Sequence, residues 1–383
     1  DSDDNNAAWL AYRNGSAACL RELFFAGADP SSTNSAGHFM LNHAVAEGNE
    51  ECVHTLLDAN ANVDQRDVHG WTPLLEACLY GRTNMVRALL RHNASIGHGR
   101  DYMEGTTALI MASKEGHYEC VQELLLQGAL LHGQPLGSFA YEEDRDCRRR
   151  TALIACCEEG HVFVAGILLG AGSDVRSVND DGDDALYAAC KHGHSHCAEL
   201  LLSAGADPDH VPPERVKMEA TPLMISVRNG HVSCVRVLLE SGASPDALAL
   251  DESTALHFAV RMGCHDACLL LLRAGASVRL RDENGSTAFC LASRKLQRAR
   301  LRAADRARIV RRQLRRHQTL DQARRARGRL IELRSITSML RRAAEPWGRV
   351  NHLTNCDLFP SSHRRRVSDL LFLGRQISSR FPA

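Results

Sequence analysis

Long apolar stretches are missing from this 383-residue chain. No run of about 18 apolar residues occurs, which excludes a membrane-spanning helix. A charged, apolar, small-residue leader is missing from the start. The chain opens at Asp1 without a methionine, which points to a fragment of a longer product. Net charge is missing too, since 46 basic residues balance 46 acidic ones. No loop-paired cysteine framework is visible, although there are 14 cysteines. Most sit inside apolar helical patterns, as in Glu76-Ala77-Cys78-Leu79. Buried, reduced thiols in a cytosolic or nuclear protein are the expectation.

Chemistry-bearing motifs are also scarce. There is no phosphate-cradling or dinucleotide loop and no nucleophile elbow, so neither catalysis nor a cofactor is expected. The densest potential metal site is His192-Gly193-His194-Ser195-His196-Cys197. Zinc takes such ligands in tetrahedral sets, but Gly193 and His194 also fit a recurring turn. Cys197 occupies the same place as Cys19, Cys52, Cys120 and Cys234, four residues after a turn glycine. A small buried apolar position accounts for all five, and no metal is expected.

A repeat is what the sequence does contain. One glycine recurs at Gly15, Gly48, Gly81, Gly116, Gly160, Gly193, Gly230 and Gly263, in steps of 33, 33, 35, 44, 33, 37 and 33 residues. Twelve residues after each comes Gly27, Asn60, Asn93, Gly128, Gly172, Gly205, Gly242 or Gly275. Only glycine and asparagine appear there, the two residues that best tolerate the left-handed conformation ending a helix. Between the markers the apolar residues are spaced for one buried face, as in Cys234, Val235, Leu238 and Leu239. A shorter apolar helix precedes the first glycine, as in Leu256, Phe258, Ala259 and Val260. Each unit is helix, tight turn, helix and irregular loop, and it must stack on neighbours to bury its apolar faces.

Thr254-Ala255-Leu256-His257-Phe258-Ala259 and Thr72-Pro73-Leu74-Leu75-Glu76-Ala77 resemble the ankyrin signature, as does Gly-His after the first helix at His117, His161, His194 and His231. Over residues of about 6 to 293 the chain thus resembles the ankyrin-repeat family, with a ninth, truncated copy starting near Asn284-Gly285. The resemblance implies an all-α solenoid with hairpin or loop fingers, whose fingers and concave face bind a protein partner. An adaptor or scaffold is the expected function.

Two gaps interrupt the period. One carries 11 extra residues near 132–150, with Phe139 and Tyr141 beside acidic residues; the other carries four, near 208–220. Insertions in solenoids fall on one face, often the binding face. Trp71 and Tyr102 flank the finger glycines Gly70 and Gly105 as candidate anchors. Asp181, Asp183, Asp184 and Glu283 favour a basic partner.

Charge is divided unevenly along the chain. Residues 294–383 hold 24 basic and 6 acidic residues, a balance of +18, against 22 and 40 before them, a balance of −18. Residues 294–344 are arginine-rich, without proline or aromatics, and read as a helix frayed near Gly328. Leu330, Leu333, Thr337 and Leu340 are spaced for one face. Three roles compete: a solvated charged helix, a nuclear-localisation or nucleic-acid patch, and a contact with the acidic body of the same or another molecule. Residues 345–383 read as a small helical element. Their layout loosely resembles a SOCS box, the adaptor following ankyrin arrays in some ubiquitin-ligase substrate receptors. That family's helix needs leucine, then cysteine four residues on, then an apolar residue four further, and residues 331–344 lack this pattern.

Overall fold

In the computed structural model the chain is described over residues 7–34, 37–96, 106–128, 150–211, 220–313, 331, 334–335 and 337–339. It forms two compact units, Asp1–Asp207 and Pro208–Ala383, so that the division falls at the second interruption of the repeat. The described elements are all helices.

The first unit pairs α1 (Ala7–Arg13) with α2 (Ala17–Phe25), α3 (Met40–Glu47) with α4 (Glu50–Asp58), and α5 (Pro73–Leu79) with α6 (Thr83–Arg91). Then come α7 (Ala108–Lys114) with α8 (Tyr118–Leu126), α9 (Ala152–Glu159) with α10 (Val162–Gly170), and α11 (Ala185–His192) with α12 (Ser195–Ser203). First helices pack on first helices from α3 to α11, and second helices on second helices from α2 to α12. The second unit pairs α13 (Pro222–Asn229) with α14 (Val232–Glu240) and α15 (Ala255–Met262) with α16 (His265–Arg273), and closes on α17 (Ala288–Gln313), which packs on α15.

The signature threonines start the first helices. The side-chain oxygens of Thr72, Thr107, Thr151 and Thr221 each accept the amide three residues on, at 3.2 to 3.4 Å. Such caps are worth about 1 kcal/mol each. Pro73 and Pro222 occupy the first turn, where no amide hydrogen is needed. The eight second-marker residues all have positive φ, including Asn60 at 58° and Asn93 at 62°. Asparagine substitutes for glycine there because its short polar side chain tolerates the left-handed region.

Cysteine burial follows the stack. Cys52, Cys120, Cys197 and Cys234 are fully buried, but Cys19 is exposed, contrary to the shared buried position expected of all five. Among the described residues α2 has a second-helix neighbour on one side only, α4, whereas α4 lies between α2 and α6. Cys52 on α4 is thus enclosed by second helices on two sides, and Cys19 on α2 by one.

The fingers are turns more than ladders. Among the described residues, β-pairing is limited to isolated bridges between Thr33 and Phe39 and between Arg281 and Thr287. Four of the turns are locked by their first side chains instead. Asp67 Oδ1 accepts from His69 N at 2.9 Å and Trp71 N at 2.8 Å, and Asn34, Asn179 and Asp282 do the equivalent.

In the ninth copy Thr287 still caps a helix, its hydroxyl accepting from Cys290 N at 3.3 Å. Leu296 stands where earlier copies have the turn glycine, so α17 runs on in place of reversing. The expected arginine-rich helix is described to Gln313 and again at residues 331, 334–335 and 337–339; Gly328 and residues 345–383 lie outside the described residues. Ser335 Oγ sits 2.9 Å from His265 Nε2, which brings this later segment back to the start of α16.

Candidate partner-binding surface

Polar ties between loops hold the surface residues in place. In the first unit Asn62 N donates to Ser31 Oγ at 3.3 Å and Ser95 N to Asp64 Oδ1 at 2.8 Å. In the second, Ser244 N donates to Asp209 at 2.9 Å and Ser277 N to Asp246 at 2.7 Å. Each bond joins the loop of one copy to that of the next, so the loops form a ladder. A second tie runs from helix to finger: the buried Asn42 donates from Nδ2 to the carbonyl of Trp71 at 2.9 Å.

The turn histidines form a third tie. His117 Nε2 donates to the carbonyl of Leu79 at 3.1 Å, His161 to Lys114 at 2.9 Å and His194 to Glu158 at 3.0 Å. Each ring reaches back to the end of the preceding first helix and satisfies a carbonyl that the helix leaves open. Lys295 takes this role in the last copy, with its ammonium on the carbonyls of Val260 and Arg261. His194 and the buried Cys197 therefore have packing roles, and among the described residues no group of three metal-ligating side chains gathers.

Fingers and first helices exchange charge. Lys191 pairs with Asp183 at 3.0 Å, Arg150 with Glu158 at 2.9 Å, and Arg261 with both Asp251 and Asp282 at 3.0 Å. Burial opposes ionisation of Asp282, but bonds from the Ser286 and Asn284 amides and from Arg261 outweigh it and hold the carboxyl below its usual range. Burial raises the Asp183 carboxyl, with Lys191 acting against it.

Glu76 on α5 breaks this pattern. Leu79 stands where Lys191 and Arg261 stand in their own helices, so no cation comes from that position. Burial first, and then the charge of Asp67, push the Glu76 carboxyl up to about 7. Sequence reasoning passed over Glu76; the missing basic residue one turn later was its one visible signal.

The structure separates the sequence-derived candidates. Trp71 is half-buried, with its backbone fixed on both sides. Asp181 and Glu283 are exposed. Asp183 is buried against Lys191, and Asp184 is buried as the cap of α11, accepting from Tyr187 N at 2.7 Å, so both acids are turned inward. Tyr102, Phe139 and Tyr141 lie outside the described residues.

A family model described as ankyrin repeats in three copies matches residues 7–99, 94–177, 130–212, 164–249 and 213–282. Among curated proteins, the chain is 35% identical over 94 residues to a probable E3 ubiquitin-protein ligase, XBOS32, of Oryza sativa subsp. japonica, covering 24% of this chain and 19% of that protein. It is 37% identical over 86 residues to ankyrin repeat and SOCS box protein 2 of Bos taurus, covering 22% and 13%. It is 32% identical over 165 residues to the potassium channel AKT2/3 of Arabidopsis thaliana, covering 43% and 19%. The chain thus spans about a fifth or less of the length of these relatives.

Proposed function

The chain belongs to the ankyrin-repeat family, and from that premise we propose that it is a protein-interaction scaffold or adaptor, not an enzyme. One observation carries this reading. Side chains such as Trp71, Asp181 and Glu283 stand on turns whose backbones are locked by side-chain caps and tied to neighbouring helices and loops. Surfaces fixed in this way lose little freedom on binding, which is how modest contacts reach useful affinity. The partner would be a protein with basic residues, meeting Asp181 and Glu283.

A second reading rests on α17, which exposes Arg298, Arg300 and Arg302 near its middle. Arginine clusters bind phosphate strongly, so this helix could supply contacts to a nucleic acid. In-cell crosslinking to the full chain, with and without nuclease, separates the two. Partners that survive nuclease and are lost on Glu283→Lys with Trp71→Ala support the adaptor. Partners that vanish with nuclease, and fail to bind an Arg298→Glu, Arg300→Glu, Arg302→Glu chain, sink it.

A further inference from the structure

One finger of the second unit departs from the others. Elsewhere the described turns begin on Asn34, Asp67, Asn179 or Asp282 and end on a glycine of positive φ. This turn begins on Ala249, which has no side-chain acceptor, and Glu252 takes the glycine's place at φ 54°. The left-handed region is costly for a residue with a side chain.

The turn keeps its shape through other ties. Asp251 accepts from Ser253 N at 3.1 Å and Ser253 Oγ at 2.9 Å, and it pairs with Arg261. The next finger joins on through Glu283 N, which donates to the carbonyl of Asp251 at 3.0 Å. Arg261 reaches Asp282 as well, so one guanidinium braces both fingers.

What this braced pair shows to solvent is apolar and acidic. Leu248 is 56% exposed, Leu250 60%, and Met262, next to Arg261 at the end of α15, 57%. Glu252 and Glu283 are exposed, and neither carboxylate has a partner among the described residues. Arg261 is engaged with Asp251 and Asp282, and Arg281 donates to the Gly285 carbonyl at 2.8 Å; the exposed Arg279 lies earlier in the loop. Large apolar side chains exposed on adjoining segments that are tied together by backbone and ion-pair contacts are candidates for an interaction site.

We propose that Leu248, Leu250 and Met262, together with Glu252 and Glu283, form a docking surface for a protein segment that places an apolar side chain beside a lysine or arginine. This rests on the protein-binding reading and narrows it to one pair of fingers and one partner chemistry. The leucines and methionine supply the apolar floor. The two carboxylates select the cation, and Glu252 at the turn provides a charge that glycine would not.

The test is a random-peptide phage library panned on the full chain. Selected peptides carry leucine, isoleucine or phenylalanine next to lysine or arginine. They bind about tenfold more weakly to the Leu248→Ser/Leu250→Ser chain and to Glu252→Gly. The glycine variant relieves the backbone, so weaker binding by a more stable protein cannot be a folding defect. Peptides that bind both variants like the parent overturn the assignment while leaving the protein-binding reading standing. A library that returns no binder overturns it too, and the broader reading falls as well only if nuclease also removes every crosslinked partner. Self-association in sedimentation that Leu248→Ser abolishes would give the surface to a second copy and overturn the proposal.

Discussion

The ring of His194 occupies the space a side chain on Gly160 would need, and it donates through Nε2 to the carbonyl of Glu158 at 3.0 Å. Gly81 with His117 and Gly116 with His161 repeat the arrangement. The Gly-His pair is therefore an inter-repeat lock. The glycine turns one copy, and the next copy's histidine fills the vacant side and caps the helix.

Gly160→Ala should accordingly destabilise the protein by about 3 kcal/mol, combining a left-handed alanine with overpacking. Gly172→Ala, at φ 90° with open space around it, should cost about 1 to 2 kcal/mol. Urea unfolding midpoints check both. Adding His194→Ala to Gly160→Ala should recover part of the loss, and a strictly additive pair would refute the lock.

Glu252→Gly should raise the melting temperature. Releasing a side chain from the left-handed region regains about 1 kcal/mol, partly offset by glycine's unfolded-state freedom. A drop on thermal denaturation would mean that Glu252 makes a stabilising contact.

The Glu76 carboxyl is raised from 4.5 to about 7, so the folded state binds a proton there that the unfolded chain has already lost. Its ionisation weakens the fold above pH 7, and the penalty fades as pH falls toward 4.5. Glu76→Gln should stabilise the chain by about 1 kcal/mol at pH 8, after discounting for partial exposure, and by little at pH 5. Equal effects at both pH values would exclude this origin.

His257 behaves in the opposite way. Burial is the main force holding its ring below 6.5, and in the neutral form Nδ1 accepts from Thr254 N at 3.1 Å while Nε2 donates to the Ser286 carbonyl at 3.1 Å. The stabilisation is complete above 6.5 and is lost as pH falls below it. His257→Ala should cost about 2 kcal/mol at pH 7.5 and less at pH 5, read from denaturant midpoints. A cost that grows on acidification would reverse the assignment.

The helical pairs and their turns were legible in the residues alone, but the boundary expected after residue 293 was not one, since α17 runs through it from Ala288 to Gln313. Glycine or asparagine ends the second helix of the eight full copies, where the chain turns left-handed, and threonine caps the first helix at Thr72, Thr107, Thr151 and Thr221. These are local demands, met within a few residues. Partnership was not legible. Asp183 and Asp181 are alike as sequence, yet Asp183 is buried against Lys191 and Asp181 is exposed, because a cation eight residues away is brought back onto Asp183 only by the turn and helix between them. Cys19 and Cys52 hold the same place in their copies, yet one is exposed and the other buried. Glu76 and Glu252 took on their character from a missing cation and an occupied backbone region. Burial and charge pairing depend on neighbours distant in the chain, so only the folded structure decided them.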